Sequence, residues 1–421
     1  MKIASVRAFT FFFWLKDNLA VILVLLGFFL FISKSLYNYP LGIMALIGLY
    51  RTIRSPAAIL SLPHMKVFIY LFLCLWIPML CALPDAFSFK ASMKTVLPYS
   101  RFLFIGVYLI SEASGARIHK AIHLGVFCLL AFWCIDALVQ FFFETDFFGY
   151  PYEKRHITGM FYPKNTIAHI CAGLSPLYFE LIRQKYKQSP ELVLLLFPLF
   201  AVILLSGRRA AWIMLAISVS GYLYYFIRTK SNASISPRKV MLIGIALMLS
   251  MLAVLTVHEP SARRLKTTMG VFSGDYTTVN EATARRLPLW QTSLYIAKKH
   301  WINGVGPRGY RLVYTNFADE DDFWKQSGQT HPHQLILEIF AETGVIGLCG
   351  LFLFSFFFYR FVRSSNLDPL VFSWAWAVVV VTFPLNTHMA FYGAYWSSFF
   401  WLLVLACFVS VINRPLPAEE A

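Results

Sequence analysis

Apolar residues dominate this chain in long blocks separated by short polar turns. Windows at residues 18–34, 39–53, 66–83, 96–112, 119–142, 163–183, 190–206, 210–228, 239–257, 343–363, 368–387 and 393–412 approach the ~20 apolar residues that cross a hydrocarbon core of ~30 Å. The pattern predicts an all-α polytopic membrane protein of about twelve transmembrane helices. The window at 39–53 is short and contains Pro40, so a tilted or broken span is expected there. Only one polar interruption is long. The expected organisation is therefore helices 1–9 within residues 1–257, a loop over 258–332, and helices 10–12 with a tail within 333–421. No small-x-small cleavage pattern follows the first apolar run, so residues 20–33 read as a retained span.

Charge sets the orientation. Lys2, Arg7, Lys16, Arg51, Arg54, Lys66, Arg183, Lys185, Arg228, Arg360 and Arg363 fall on one side if the N-terminus is cytoplasmic, as the bias of short loops toward basic residues requires. Both termini are then cytoplasmic and the long loop is outside, which in a Gram-negative inner membrane is the periplasm. With 58% hydrophobic and only 14% charged residues the chain is no soluble domain, and its formal charge of +16 is spread over many short loops. Topology accounts for that charge, and no nucleic-acid partner is expected. The seven cysteines lie in apolar runs, which suggests neither a disulfide framework nor a thiolate metal site. Topology does not account for an outside set of cations: Arg155 and Lys164, Arg208 and Arg209, Arg285 and Arg286, Arg308 and Arg311. Guanidinium groups grip phosphate oxygens in pairs and hold their charge at working pH, so an anionic ligand at the outer surface is expected.

Several segments carry candidate chemistry. YPYEKRHITGMFYPKN (150–165) precedes a span beginning near Asn165, where Arg155, Lys164 and the first amides are placed to hold a phosphate, or to anchor the span at head-group level. SGRRAAW (206–212) is a tight turn that puts two guanidiniums at the bilayer edge. RLPLWQTSLYIAKKHW (286–301) places Leu287, Trp290, Leu294, Ala297 and Trp301 at helical spacing, an amphipathic helix with Pro288 in its first turn and Arg285 or Arg286 at its N-terminus. NGVGPRGY follows as a glycine turn closing on Arg308, without the Lys-Ser pair of an ATP-binding loop. The acidic run Asp319 to Asp322 reads as a solvated loop tip. In His331-Pro332-His333-Gln334, His333 at a helix entry is a candidate proton acceptor; the alternative is that it caps the span while Glu338 and Glu342 face water. Two histidines flanking one proline are not expected to direct both rings at one metal. Asp136 is an acid within the fifth span and hence a functional candidate or the partner of a polar neighbour.

These residues resemble the bacterial O-antigen ligases of the O-antigen ligase/polymerase superfamily. The ligase signature of His, then Asn, Ser or Gln, nine residues, Gly, two residues and Gly is met by His333, Gln334, Leu335 to Thr343, Gly344 and Gly347. SGRRAAW resembles a Ser-Arg-x-Ala-Trp element and aligns Arg209, with Arg208 as competitor. ARRLPLW resembles an Arg-Leu-x-Leu-Trp element and aligns Arg286. GVGPRGY and TGMFYPKNTIAH resemble the family's glycine turn and its Gly-x-Phe-x-x-x-Asn element.

The resemblance implies a GT-C-like membrane glycosyltransferase. Its reaction moves a polysaccharide from undecaprenyl diphosphate to a sugar hydroxyl of lipid A-core oligosaccharide, with inversion and without metal, nucleotide or other cofactor. His333 would be the base, and the arginines would hold the departing diphosphate. Two rivals remain: an O-antigen polymerase, whose acceptor is another lipid-linked repeat, and a non-enzymatic transporter of lipid-linked glycan. Polymerases usually carry two substantial outside loops with arginine, whereas this chain has one of about seventy residues and a lesser one of about twenty. Transporters commonly carry internal repeats, and none is evident.

Overall fold

The computed structural model describes residues 18–113, 118–153, 156–229, 249, 258–365, 368–385 and 389–412. Long apolar blocks satisfy their backbone groups internally, which in a bilayer leaves the helix as the default. Eleven of the twelve apolar windows fall on helices: α1 Asn18–Ile32, α2 Asn38–Arg54, α3 Met65–Cys81, α4 Phe89–Glu112, α5 Ile118–Phe143, α6 Ile167–Lys185, α7 Pro190–Leu205, α8 Arg209–Thr229, and, after the long loop, α13 Leu335–Ser364, α14 Pro369–Thr382 and α15 Ala394–Ile412. The window at 239–257 lies almost wholly outside the described residues. Five of these helices, α4, α5, α8, α13 and α15, are long and apolar enough to cross a membrane, and α1, α3, α7 and α14 are shorter apolar helices. Among the described residues there is no β-strand.

Three boundaries differ from the sequence expectation. Pro40 does not break the second window, because it sits in the first turn of α2, where no helical amide bond is lost. The fourth helix begins at Phe89, seven residues earlier than expected, capped by Ser88 accepting from Ala91 N, with a break near Ser100 after Pro98. The tenth begins at Leu335, eight residues early, and Gln334 is its cap, accepting from Leu337 N. His333 is therefore not the cap.

α15 lies at the centre of the bundle, every residue from Trp396 to Val411 being buried. α14, α5 and the second half of α4 pack around it. Phe352, Leu353, Phe356 and Phe357 of α13 remain exposed, the outward apolar surface of a helix facing lipid.

The expected loop is itself folded. It contains α9 Glu259–Met269, α10 Tyr276–Ala282, α11 Leu287–Lys299 and α12 Tyr310–Phe317. α11 starts where expected, with Pro288 in its first turn, but it buries Leu289, Ser293, Ile296 and Ala297 while Leu294 and Trp301 are exposed. The buried stripe is rotated from the expected one because α11 packs on Tyr310, Val313 and Tyr314 of α12 and on Ala341 of α13. Asp322 is not a solvated tip residue: it is buried, holding the Tyr314 hydroxyl and accepting from Trp324 N at 2.8 Å.

One splice fixes this stretch to the bundle. α13 is interrupted at Gly344 (φ 63°, ψ −160°), and the glycine turn after α11 fills the gap. Val305 N and Gly306 N donate to the carbonyls of Ala341 and Glu342 (2.9 and 3.0 Å), while Val345 N and Ile346 N donate to those of Trp301 and Ile302 (2.8 and 3.2 Å). A Cβ on Gly344 would overlap the Ile302 carbonyl, at a backbone angle that other residues rarely adopt. Gly344→Ala is expected to cost at least ~2 kcal/mol, read as a lowered unfolding midpoint of the purified protein in detergent. An unchanged midpoint would show that the splice is dispensable.

Candidate active site

Five segments converge at one end of the bundle. Phe87 N donates to Val305 O (3.0 Å), Asn165 Nδ2 to Ser206 O (3.0 Å), Ser261 Oγ to Leu204 O (3.1 Å) and Leu335 N to Pro384 O (3.1 Å). Between them opens a cleft of about 680 Å³ that brings together Arg208, Arg209, Arg264 and Arg286, with His169 and Trp290 on its walls. Among its described lining residues there is no carboxylate.

Local backbone geometry explains which arginines arrive there. Ser206 and Gly207 turn the chain sharply between α7 and α8, and Trp212 Nε1 ties the turn back to Ile203 O at 3.1 Å. Gly207 takes φ 61° and has no Cβ, which leaves the space that the Arg264 guanidinium occupies as it donates to Gly207 O at 2.5 Å. Arg209 donates to the Ala282 carbonyl, and Arg208 Nε is buried without a hydrogen-bond partner. Ala284 and Arg285 both take left-handed angles (φ 60° and 58°), so successive side chains diverge. Arg286 enters the cleft, whereas Arg285 stacks on Phe323 with its guanidinium carbon 4.1 Å from the ring centre.

The electrostatics follow from this crowding. Burial, then Arg209 and Arg208, push Arg286 down to about 10, and burial and Arg264 lower Arg208. These shifts oppose the charged form, and an anion entering the cleft would relieve them. Both groups are still protonated near neutral pH, so the cleft offers several forked donors and no countercharge.

The histidine turn adjoins the cleft through Trp290, whose indole donates to the Pro332 carbonyl at 3.2 Å. His331 is buried, its Nδ1 2.8 Å from Thr330 Oγ1, and His333 is half-buried with a left-handed φ of 56°. The two rings lie 4.0 Å apart, contrary to the expectation that Pro332 keeps them from one point. The left-handed His333 folds the chain back and brings them together. Among the described residues no three His, Cys, Asp or Glu side chains gather as a metal site requires.

Glu338 and Glu342 do not face water. Glu338 accepts from Phe391 N and Tyr392 N (3.0 and 3.2 Å), and Glu342 from Arg308 N (2.6 Å), so both carboxylates are buried backbone clamps. Asp136 plays the same part in α5, accepting from Phe147 N (3.2 Å) and Met160 N (2.9 Å), while Gln140 accepts from Thr158 N and Gly159 N (2.9 and 2.8 Å). The polar neighbours of Asp136 are thus amides of the loop that leads to Asn165 and the arginine turn.

The other expected cations lie apart from the cleft walls. Lys164 sits 5.1 Å from the Tyr395 ring centre, pushed down to about 8 by burial and by Lys34. Arg308 lines a different cavity, beside Arg311. Arg155 falls outside the described residues. Arg264 and His169 are cleft residues that the sequence reading did not single out. The one signal that could have found Arg264 is that it is a cation in the long loop that the charge rule predicts to be outside.

Fold and site together describe an all-helical chain with several apolar helices, of the multi-pass membrane class, with a cluster of arginines in a cleft at one end of its bundle. Residues 194–352, from α7 into α13, match the family model described as O-Antigen ligase, the family that the sequence motifs resemble. That family supports an enzyme of the ligase or polymerase type working on lipid-linked polysaccharide in a membrane. No match was found among curated proteins.

Proposed function

We propose that the chain is an O-antigen ligase. It transfers a polysaccharide from undecaprenyl diphosphate to a sugar hydroxyl of lipid A-core oligosaccharide at the periplasmic face of a Gram-negative inner membrane. The observation that carries this reading is the acid-free cleft holding Arg208, Arg209, Arg264 and Arg286, one indole away from the His331–His333 turn. In it, the arginines take the diphosphate of the donor and stabilise the charge that grows as it leaves. His333 removes the proton of the acceptor hydroxyl, whose oxygen attacks the anomeric carbon from the side opposite the diphosphate and inverts it. The donor carries its own leaving group, so the residues need supply only position, a base and positive charge. We place the reaction on a GT-C-like scaffold of about twelve spans with cytoplasmic termini.

Deletion of the gene tests the acceptor. A ligase predicts polymer accumulating as a ladder on the lipid carrier with none on lipid A-core; loss of the ladder itself would instead indicate a polymerase. Turnover by the purified protein with donor and acceptor in excess EDTA and no nucleotide is expected to match that without EDTA. Inhibition reversed by magnesium or manganese would move the diphosphate-holding role from the arginines to a metal.

A further inference from the structure

A second cationic cavity opens at the same end of the bundle, of about 260 Å³, lined by Lys94 and Arg101 of α4, Arg308 of the glycine turn and Arg311 of α12, with Tyr392 and Ser397 on its far wall. None of its described lining residues is a carboxylate. Neutral groups hold the cations: Arg101 donates to Asn38 Oδ1 (2.7 Å) and Ser398 Oγ (2.8 Å), and Arg308 Nη1 to Thr330 O (3.3 Å). Glu338 and Glu342 lie buried behind Arg308, but their bonds go to backbone amides, that of Arg308 included. Such a concentration of cations is costly at a membrane edge unless an anion joins it.

The position of this cavity matters as much as its charge. Arg308, on its wall, bonds the Thr330 carbonyl immediately before His331, whereas Trp290, on the wall of the first cleft, bonds the Pro332 carbonyl immediately before His333. The histidine turn is thus held from one side by a wall of each cavity.

We propose that the cavity of Lys94, Arg101, Arg308 and Arg311 binds a phosphate group of the acceptor, so that the histidine turn stands between a donor diphosphate and an acceptor phosphate. This rests on the transferase reading of the first cleft. The recognised chemistry is a phosphate or diphosphate ester on a glycolipid, and its source is either a phosphorylated saccharide core or the lipid diphosphate of a second carrier. Division of labour follows. The first cleft stabilises the leaving group, and the second positions the nucleophile, so its residues govern the Michaelis constant for acceptor rather than that for donor.

The test uses the full-length protein in nanodiscs of neutral lipid, with Lys94→Ala/Arg311→Ala as the variant because both side chains are exposed. Calorimetric titration with inorganic pyrophosphate is expected to show two sites in the wild type, one lost in this variant and the other in Arg208→Ala/Arg286→Ala. A single site, or loss of both in either variant, overturns the proposal. This arm needs no turnover, so it stands even if transfer to lipid A-core is never observed and the ligase reading fails. In the transfer assay the Lys94→Ala/Arg311→Ala variant is expected to raise the acceptor KM at least tenfold and leave the donor KM unchanged. Acceptor stripped of phosphate should lose the same factor with wild type, while a lipid-diphosphate acceptor that alone shows the effect would identify the second carrier as the source. Equal rises in both KM values, or none, overturn the assignment.

Discussion

His333→Asn is expected to lower turnover by at least ~10²-fold, the lower end of what a positioned general base supplies, while the protein stays folded. Asparagine is the sharper substitution because His333 holds a left-handed backbone angle that asparagine tolerates and alanine does not. His333→Ala should abolish transfer as well, with some added loss of stability. His331→Ala should be milder, since His331 is the buried member of the pair and supports the ring beside it. The measurement is turnover of purified variants with both substrates saturating, alongside an unfolding midpoint. Near-normal turnover in His333→Asn would remove the base from this residue.

Arg286→Ala should cost at least ~2 kcal/mol of transition-state stabilisation, roughly 30-fold in kcat/KM, on the scale of losing one preorganised donor to developing charge. Arg209→Ala should fall in the same range. The case is strongest for Arg286, whose charge is opposed in the cleft by burial and by Arg209 and Arg208, so that an arriving diphosphate changes its surroundings most. Lysine at either position should restore activity only in part, because a point charge cannot replace the fork. Arg285→Ala serves as the contrast: stacked on Phe323, that side chain is expected to leave transfer within a few-fold of wild type. Full activity in both lysine variants would mean that bulk positive charge suffices, and a larger loss at Arg285 than at Arg286 would reverse the assignment.

The apolar helices were legible because apolar blocks of near-bilayer length admit few other structures, and the clustered arginines drew notice because, on the expected orientation, they break the charge rule. What escaped the sequence has a common cause. Ala284, Arg285, Arg308 and His333 adopt left-handed angles that only glycine advertises in advance, and these angles decide that Arg286 enters the cleft, that Arg285 does not, and that the two histidine rings meet. Periodicity alone allowed two readings of α11; contact with α12 and α13 selected the one that buries Leu289 and Ile296. Arg101 was not singled out from the sequence, its partners Asn38 and Ser398 being 63 and 297 positions away. Glu338, Glu342 and Asp136 drew attention as acids near a membrane, and each accepts from a backbone amide that no spacing rule would pair with it.

The interlock between residues 301–306 and 341–346 has a consequence for how substrates arrive. A covering segment joined to its scaffold only at its two ends can swing as a lid, but this one is stitched to α13 near its middle by four backbone hydrogen bonds. α9 and α10 are pinned as well, by Ser261 on the Leu204 carbonyl, Arg264 on the Gly207 carbonyl and Arg209 on the Ala282 carbonyl, so the whole stretch stands as a fixed jamb beside the cleft rather than as a lid over it. The same stitching fixes where the chain tolerates no change in length: a residue inserted between Ile302 and Gly306 would pull the arginine and histidine segments out of step.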